Sequence, residues 1–195
     1  MLQTNCYLVS NEKSKTCIIV DPGDNAEFIA GCVENLGVVP AAIFLTHAHA
    51  DHIQAVPELK EKYKVPLYVH EEDVKMLENV SLNLGRLAIK LDSGDVRLKG
   101  NEQLDIGEMR IKVIHTPGHT PGGVCYYFED EGILLAGDTM FRCSWGRTDF
   151  PGGSEEALMD SIRTKLLVLP ADTVVYPGHE GATTIENERR VHGVR

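Results

Sequence analysis

The sequence predicts a layered α/β or α+β domain, and three observations carry the prediction. The chain has 195 residues and 43% hydrophobic content, enough for one well-packed core and short for two, so residues 1–195 are expected to form a single domain. Strand-length apolar runs, broken by Gly, Pro and Asn, occur along the chain with only a few helical stretches between them. The strands come in series before and after the helices rather than strictly alternating with them, which suits helices packed outside sheets.

NCYLVS and TCIIVD flank NEKSK and read as a hairpin whose second strand stops at the turn signal Asp21-Pro22-Gly23. Apolar residues from Ala26 to Leu36 have helical spacing, with Gly37 as the stop. AAIFLT is a strand leading into a histidine cluster. Ile53 to Lys62 is helical, but Pro57 fits only the first turn of a helix, so a break or fresh start is expected there. VPLYVH is a strand and Glu71 to Asn79 a helix. Val80 to Ser93 gives no clear element and reads as a segment that covers something. From Asp95 to Thr139 the pattern is nearly all β: DVRL, EQLDI, MRIKVIH, GVCYYF and GILLAG. Glu155 to Leu169 is the clearest amphipathic helix, with Leu158, Ile162, Leu166 and Leu169 on one face. DTVVYP is a last strand and Thr183 to Val191 a closing helix.

Composition narrows the partners. Nineteen basic against 29 acidic residues give a formal charge of −10, which opposes nucleic acid and acidic membrane surfaces. No run approaches the roughly 20 apolar residues of a membrane span, and MLQTNCYLVS has no basic region followed by a long apolar one, so a cytoplasmic protein is expected. Cys6, Cys17, Cys32, Cys125 and Cys143 are odd in number and form no C-x-x-C pair, and they read as reduced and mostly buried.

Four strand ends hand over ligand-type side chains. AIFLT delivers His47, His49, Asp51 and His52; IKVIHTPG delivers His119; GILLAG delivers Asp138; TVVYPG delivers His179. Strand ends of one sheet lie side by side, so these residues can converge on one edge as a metal site. In extended chain, side chains two apart share a side, so His47 and His49 can reach one ion. Asp51 and His52 turn away as a helix begins and can serve a second. Imidazole and carboxylate donors without thiolate suit zinc, or iron and manganese, and this set exceeds what one zinc ion takes. His70, His115 and His192 read instead as capped or surface histidines.

These residues carry a resemblance. His47-Ala48-His49-Ala50-Asp51-His52, followed in order by TPGHT, LLAGDT and YPGH, resembles the metallo-β-lactamase superfamily over nearly the whole chain. The resemblance implies a four-layer αββα sandwich with the metals at one edge. Thr139-Met140-Phe141 and the stretch from Gly146 to Gly153 are similar to short glyoxalase II-like hydrolases. That implies two divalent metal ions: His47, His49 and His119 on the first, Asp51, His52 and His179 on the second, and Asp138 bridging. Asp51 and Asp138 are the candidate catalytic carboxylates. Arg147 stands where relatives carry a basic residue that grips glutathione's glycine carboxylate, with Arg142 a second candidate. The extra helical domain of full-length glyoxalase II is not expected, since the chain runs only to Arg195 after His179. The beginning reads as clipped by a short strand, and ERRVHGVR departs from the family's usual close.

The implied activity is hydrolysis of S-lactoylglutathione or a related thioester by hydroxide shared between two ions. A thiol with a pKa near ~8.5 leaves without an obligatory acid. No Ser or Cys nucleophile is required, and Cys143 reads as a packed thiol. Three rival classes resemble parts of the pattern. A mononuclear-iron persulfide dioxygenase is favoured by Ala50 and GRTDF, whereas Tyr176-Pro177-Gly178-His179 looks more like the hydrolase. A nuclease of the superfamily is opposed by the acidic balance. A binding module that lost its chemistry is opposed by the complete ligand set. A secreted β-lactam hydrolase is opposed by Asp138, where many such enzymes carry cysteine, and lactones are a further substrate class for the same hydroxide.

Overall fold

The computed structural model describes residues 3–192. The chain opens with strands β1 (Tyr7–Ser10) and β2 (Thr16–Val20), which pair antiparallel with Tyr7 opposite Val20. Helix α1 (Ala26–Leu36) starts where the Asn25 side chain accepts the Phe28 N–H and stops at Gly37, whose φ of 63° ends the helix in the left-handed region. Strand β3 (Val39–Phe44) then runs parallel to β2. A single turn, α2 (Ala50–Ile53), precedes α3 (Val56–Tyr63), and Pro57 lies in the first turn of α3, so the fresh start expected there is present.

Strand β4 (Leu67–His70) leads into a 3₁₀ turn at Glu71–Asp73 and the short helix α4 (Val74–Leu77). The expected helix over Glu71 to Asn79 is thus shorter and split. Residues 80–93 form turns without a strand or helix, and they do cover something: Asn83 O accepts the N–H of Ala50, the first residue of α2, at 2.8 Å. Five strands follow as expected: β5 (Val96–Leu98), β6 (Gln103–Ile106), β7 (Met109–His115), β8 (Val124–Phe128) and β9 (Ile133–Gly137). A small hairpin comes next, of β10 (Met140–Phe141) and β11 (Ser144–Trp145).

The expected helix from Glu155 to Leu169 is shorter than its apolar pattern. Helix α5 (Glu155–Ser161) passes into a π turn over Ile162–Leu166, and Leu169 lies beyond it. The +4 spacing of Leu158, Ile162 and Leu166 drifts about 40° per step on a 3.6-residue helix. The wider turn takes up that drift, and all three side chains are fully buried. Strand β12 (Val174–Pro177) pairs with β13 (Thr183–Thr184), after which α6 (Ile185–Val191) begins with the Thr184 hydroxyl accepting Asn187 N–H. The closing helix therefore starts two residues later than its apolar pattern suggests.

Beside the β10-β11 hairpin, two large sheets form among the described residues, in orders β1-β2-β3-β4-β5 and β13-β12-β9-β8-β7-β6. Both faces of the central strands are apolar, and the period of two sorts them into separate cores. On β2, Cys17 and Ile19 face a cluster with Ile29 and Val33 of α1 and Val56 and Leu59 of α3. Ile18 and Val20 face the other way, where with Ala42 and Phe44 they meet Met109, Ile111, Val113 and Tyr126 of the second sheet. The far face of that sheet, with Cys125, Tyr127 and Leu134, packs on Leu158, Ile162, Leu166 and Ile185. Three cores separate four layers, αββα, as the resemblance implied.

The two sheets are joined at one end. Tyr126 Oη, fully buried, donates to Leu45 O at 2.6 Å, and Val124 N–H donates to Thr46 O at 2.8 Å. Both acceptors lie between β3 and the histidine cluster, so the sheets meet where the ligand-type residues emerge. Among the described residues no helix is long and apolar enough to cross a membrane.

Candidate metal centre

Each ligand-type side chain sits just past a strand of this joined edge. His47, His49, Asp51 and His52 follow β3, His119 lies between β7 and β8, Asp138 follows β9 and His179 follows β12. β9 and β12 are parallel neighbours, and a register shift at Tyr176/Pro177 re-aims the chain before His179. Gly137, at φ 49°, makes the turn that delivers Asp138, and its O accepts Gly178 N–H at 2.8 Å.

All seven residues come together in overlapping groups, one of which, His47, His52 and Asp138, links the other two. Donor atoms of His47, His49 and His119 lie within 4.8 Å of one another, and so do those of Asp51, His52 and His179. Asp138 stands between the groups. Its Oδ2 is 3.6 Å from His119 Nε2 and 3.3 Å from His179 Nε2, and its Oδ1 is 3.5 Å from His52 Nε2. Asp51 Oδ2 is 3.3 Å from His179 Nε2 and accepts the Thr4 hydroxyl at 2.9 Å.

The fit to a cation can be read from the other ring nitrogens. A carbonyl only accepts, so His119 Nδ1 must be the N–H that donates to Arg147 O at 2.7 Å, and His179 Nδ1 the one that donates to Gln3 O at 2.8 Å. Thr46 Oγ1 gives its proton to Asp21 Oδ2 at 2.6 Å and so accepts from His47 Nδ1 at 3.1 Å. His52 Nδ1 lies 3.0 Å from Asp21 Oδ2. In all four rings Nδ1 faces outward to an oxygen and Nε2 faces the centre, the arrangement that orients metal-binding histidines. His47 Nε2, His52 Nε2 and Asp138 Oδ1 are buried without a hydrogen-bond partner, a condition that a bound cation relieves. His49 is turned the other way, with Nδ1 2.9 Å from His119 Nε2. Nitrogens sharing an ion at bonds of about 2.0–2.1 Å stand roughly 3 Å apart, so these two suit one ion.

Without a cation, protons take its place. Burial, then the charges of His52, His119 and His49, hold His47 well below the usual imidazole range, and burial with His119 and His52 lowers His49 to about 4. Burial would lower His52, but Asp21 and Asp138 outweigh it and raise it well above that range. Hydrogen bonds to Asp138 and Asp51 raise His179 to about 10. Burial pushes both aspartates up, yet His179, His52 and Thr4 bring Asp51 down to about 2, and His52 and His179 hold Asp138 well below the carboxylate range. The centre combines ionised carboxylates with two imidazoles held neutral, His47 and His49, and two held protonated, His52 and His179, and the protons on the last two occupy the place of positive charge.

The other candidates have different surroundings. Arg142 is exposed in the β10–β11 turn. Arg147 is exposed too, forked onto Asp149 through Nε at 2.7 Å and Nη2 at 2.6 Å, with its guanidinium 3.9 Å from the Phe150 ring centre. Phe150 in turn stands edge-on to His49, and Phe141 edge-on to His179. Cys143 is exposed at φ 61°, not packed, because the tight hairpin turn points it outward. Only Cys17 and Cys125 are buried, so "mostly buried" does not hold for the cysteines. His70 is buried and His115 half-buried, their rings stacked at 4.1 Å and 17°. Donor atoms of both and of Glu72 also lie within 4.8 Å, but parallel rings aim their nitrogens side by side rather than at one point. His192 packs beside Trp145.

Asp21 is the functional residue that the sequence reading passed over as a turn signal. It is 1% exposed and holds Thr46 N–H at 2.7 Å, the Thr46 hydroxyl and His52. The available signal was register: β2 and β3 are parallel with Val20 opposite Phe44, so an acid just past β2 must lie beside the start of the histidine loop.

Comparison with known proteins identifies the family of this fold. The family model for the metallo-β-lactamase superfamily matches residues 1–179. Among curated relatives, the probable metallo-hydrolase YqgX of Bacillus subtilis is 38% identical over 96% of this chain and 90% of its own. The hydroxyacylglutathione hydrolase GloC of Haemophilus influenzae is 34% identical over 96% and 91%. Among solved structures, the BLEG-1 B3 metallo-β-lactamase aligns with a TM-score of 0.89 at 40% identity, covering 97% of this chain and 92% of that one. TTHA1623 in a di-iron-bound form gives 0.86 at 36%, covering 97% and 94%, and ETHE1 from Myxococcus xanthus 0.82 at 26%, covering 97% and 80%. With its αββα layers and its His/Asp centre at the sheet edge, the chain belongs to the metallo-β-lactamase superfamily and is a metallo-hydrolase of that fold.

Proposed function

We propose that the protein is a two-metal thioester hydrolase acting on S-lactoylglutathione or a related acyl thioester. One observation carries the reading: two donor triads, His47/His49/His119 and Asp51/His52/His179, meet at a single carboxylate, Asp138, whose oxygens face both. His47, His49 and His119 would hold one divalent ion and Asp51, His52 and His179 the other, zinc first, with iron or manganese as alternatives. Such ions supply acidified water and a Lewis acid for a carbonyl. The relative named as a hydroxyacylglutathione hydrolase and the neighbour described as di-iron-bound support thioester substrate and metal count respectively.

The chain's own residues do the rest. Asp51 and Asp138, held ionised at the reacting edge, orient the attacking water by accepting its hydrogen bonds. Phe150 and Phe141 wall the centre on either side with apolar rings. Arg147, with Arg142 as a second candidate, offers a guanidinium to a substrate carboxylate, which would take the place Asp149 now fills. Unpaired thiols suit a reducing, cytoplasmic setting. No nucleic acid or membrane partner is invoked.

Elemental analysis of protein purified without chelator, paired with thioester assays, tests the reading. Close to two ions per chain and thioester turnover support it, and His49→Ala and Asp138→Ala should lose metal and turnover together while keeping the fold. Full activity in either variant refutes it. The second reading, a persulfide dioxygenase, is favoured by Ala50 and the GRTDF stretch. A single iron with oxygen uptake on glutathione persulfide would establish it in place of the hydrolase.

A further inference from the structure

Asp73 ends the 3₁₀ turn after β4, is 0% exposed, and belongs to none of the donor groups of the centre. Its Oδ2 accepts Ala48 N–H at 3.0 Å and the Thr120 hydroxyl at 2.9 Å, and its Oδ1 accepts Gly122 N–H at 2.7 Å. Ala48 lies between His47 and His49, and Thr120 follows His119. The two loops that carry these three rings are far apart in sequence, and this one carboxylate bonds to both. The contact is close: a Cβ on Gly122 would stand 2.6 Å from Asp73 N and 2.8 Å from its Cγ, so only glycine lets the His119 loop settle there.

We infer that Asp73 is a positioning residue that sets the spacing of His47, His49 and His119 and thereby tunes cation affinity at that group. It touches no reacting atom and acts through the backbone on either side of the rings. Two charged oxygens facing three donors are fully matched, as a buried carboxylate requires. The group Asp51, His52 and His179 receives no bond from Asp73 and is held by Asp21, Thr4 and Gln3 instead. The inference rests on the metal reading but not on the thioester one.

Asp73→Asn keeps the shape but places an NH₂ against a backbone N–H in either orientation, Ala48 on one side or Gly122 on the other. Thr120→Val removes only one of the three bonds. The experiment is a zinc titration of metal-free protein against a competing chelator, with the melting temperature of each metal-free variant as control. One of the two zinc-binding steps should weaken by about 10–100-fold in Asp73→Asn and by less in Thr120→Val, the other step staying within about twofold. Unchanged zinc affinity with a lowered metal-free melting temperature would make Asp73 a fold anchor only and overturn the inference, and so would equal weakening of both steps. If Asp73→Asn does not fold, Thr120→Val decides by the same criterion. Should wild-type protein bind a single zinc, the two-metal reading fails, while weakening of that single step still upholds the role of Asp73.

Discussion

Gly178→Ala should disable the centre without touching a ligand. A Cβ at position 178 would stand 2.2 Å from Asp138 Oδ1 and 2.8 Å from His52 Cε1. Carbon and oxygen in contact need roughly 3.3 Å, so about 1 Å must open. The carboxylate cannot simply swing away, because its oxygens lie 3.3–3.6 Å from His179, His52 and His119 and its surroundings are buried. Nor can residue 178 retreat easily, since its N–H is bonded to Gly137 O and its O to Asn5 N–H at 2.7 Å. A displacement of about 1 Å at a reacting centre costs about 100-fold in rate, and overpacking of this kind about 1–3 kcal/mol in stability, which leaves a folded protein. Gly181→Ala, where a Cβ meets nothing within 4 Å, is the matched control. Thioester turnover, metal content and melting temperature of both variants are the assay. If Gly178→Ala keeps its metal and turns over within about twofold of Gly181→Ala, the placement of Asp138 between the two groups is wrong.

Three further outcomes follow from the surroundings of the ligands. Asp21→Asn, at a left-handed position (φ 51°) that asparagine tolerates, should lower zinc affinity by about 10–100-fold through His52 and Thr46, read by chelator competition; unchanged affinity would reduce Asp21 to a turn residue. Metal uptake should release protons, because His179, raised to about 10, is protonated at neutral pH in the metal-free protein and must be neutral to coordinate. The sign is fixed: apparent affinity rises with pH, by up to about tenfold per pH unit for each proton displaced, and a flat profile between about pH 6 and 8 would contradict it. A thiol reagent should modify exposed Cys143 quickly and without loss of turnover, while Cys17 and Cys125, whose thiols burial pushes up to about 11, stay unreacted in mass spectra of the folded protein.

The legible parts of this chain are those where one local pattern has one physical cause. Ala26 to Leu36 ends at a glycine that takes up a left-handed φ, and β2 and β3 alternate between two apolar faces, so both were readable without partners. The clustering of ligand types after β3, β9 and β12 was readable for the same reason, since nothing in packing calls for histidine and aspartate at the end of an apolar run. What escaped depends on neighbours distant in sequence. The β10–β11 hairpin has two residues per strand and no alternation to read. The π turn after α5 looks like plain helix until the drift of its +4 repeat is worked out. Cys143 was read by residue type, and a hairpin turn decided its exposure.

Asp21, Asp73 and Glu188 belong to that second kind, and together they account for how loops can be as rigid as this centre needs. A loop past a strand end has no ladder to satisfy its N–H groups, and a buried N–H left alone costs about 1–3 kcal/mol. Here buried carboxylates supply the missing acceptors. Asp21 takes Thr46 N–H at the entry to the histidine loop, and Asp73 takes Ala48 and Gly122 on the loops of His49 and His119. Glu188 on α6, 0% exposed, takes Cys143 N–H and the Thr183 hydroxyl, fastening the hairpin that follows Asp138 to the segment that follows His179. Each acid lies behind the His/Asp cluster and bonds backbone or hydroxyl groups on the loops that carry it. Burying a charge is unfavourable unless its oxygens are matched, and these are matched by the very groups that the loops must otherwise leave unpaired. The same bonds that make the acids tolerable therefore fix the loops, and a centre drawn from four strand ends holds its spacing before any cation arrives.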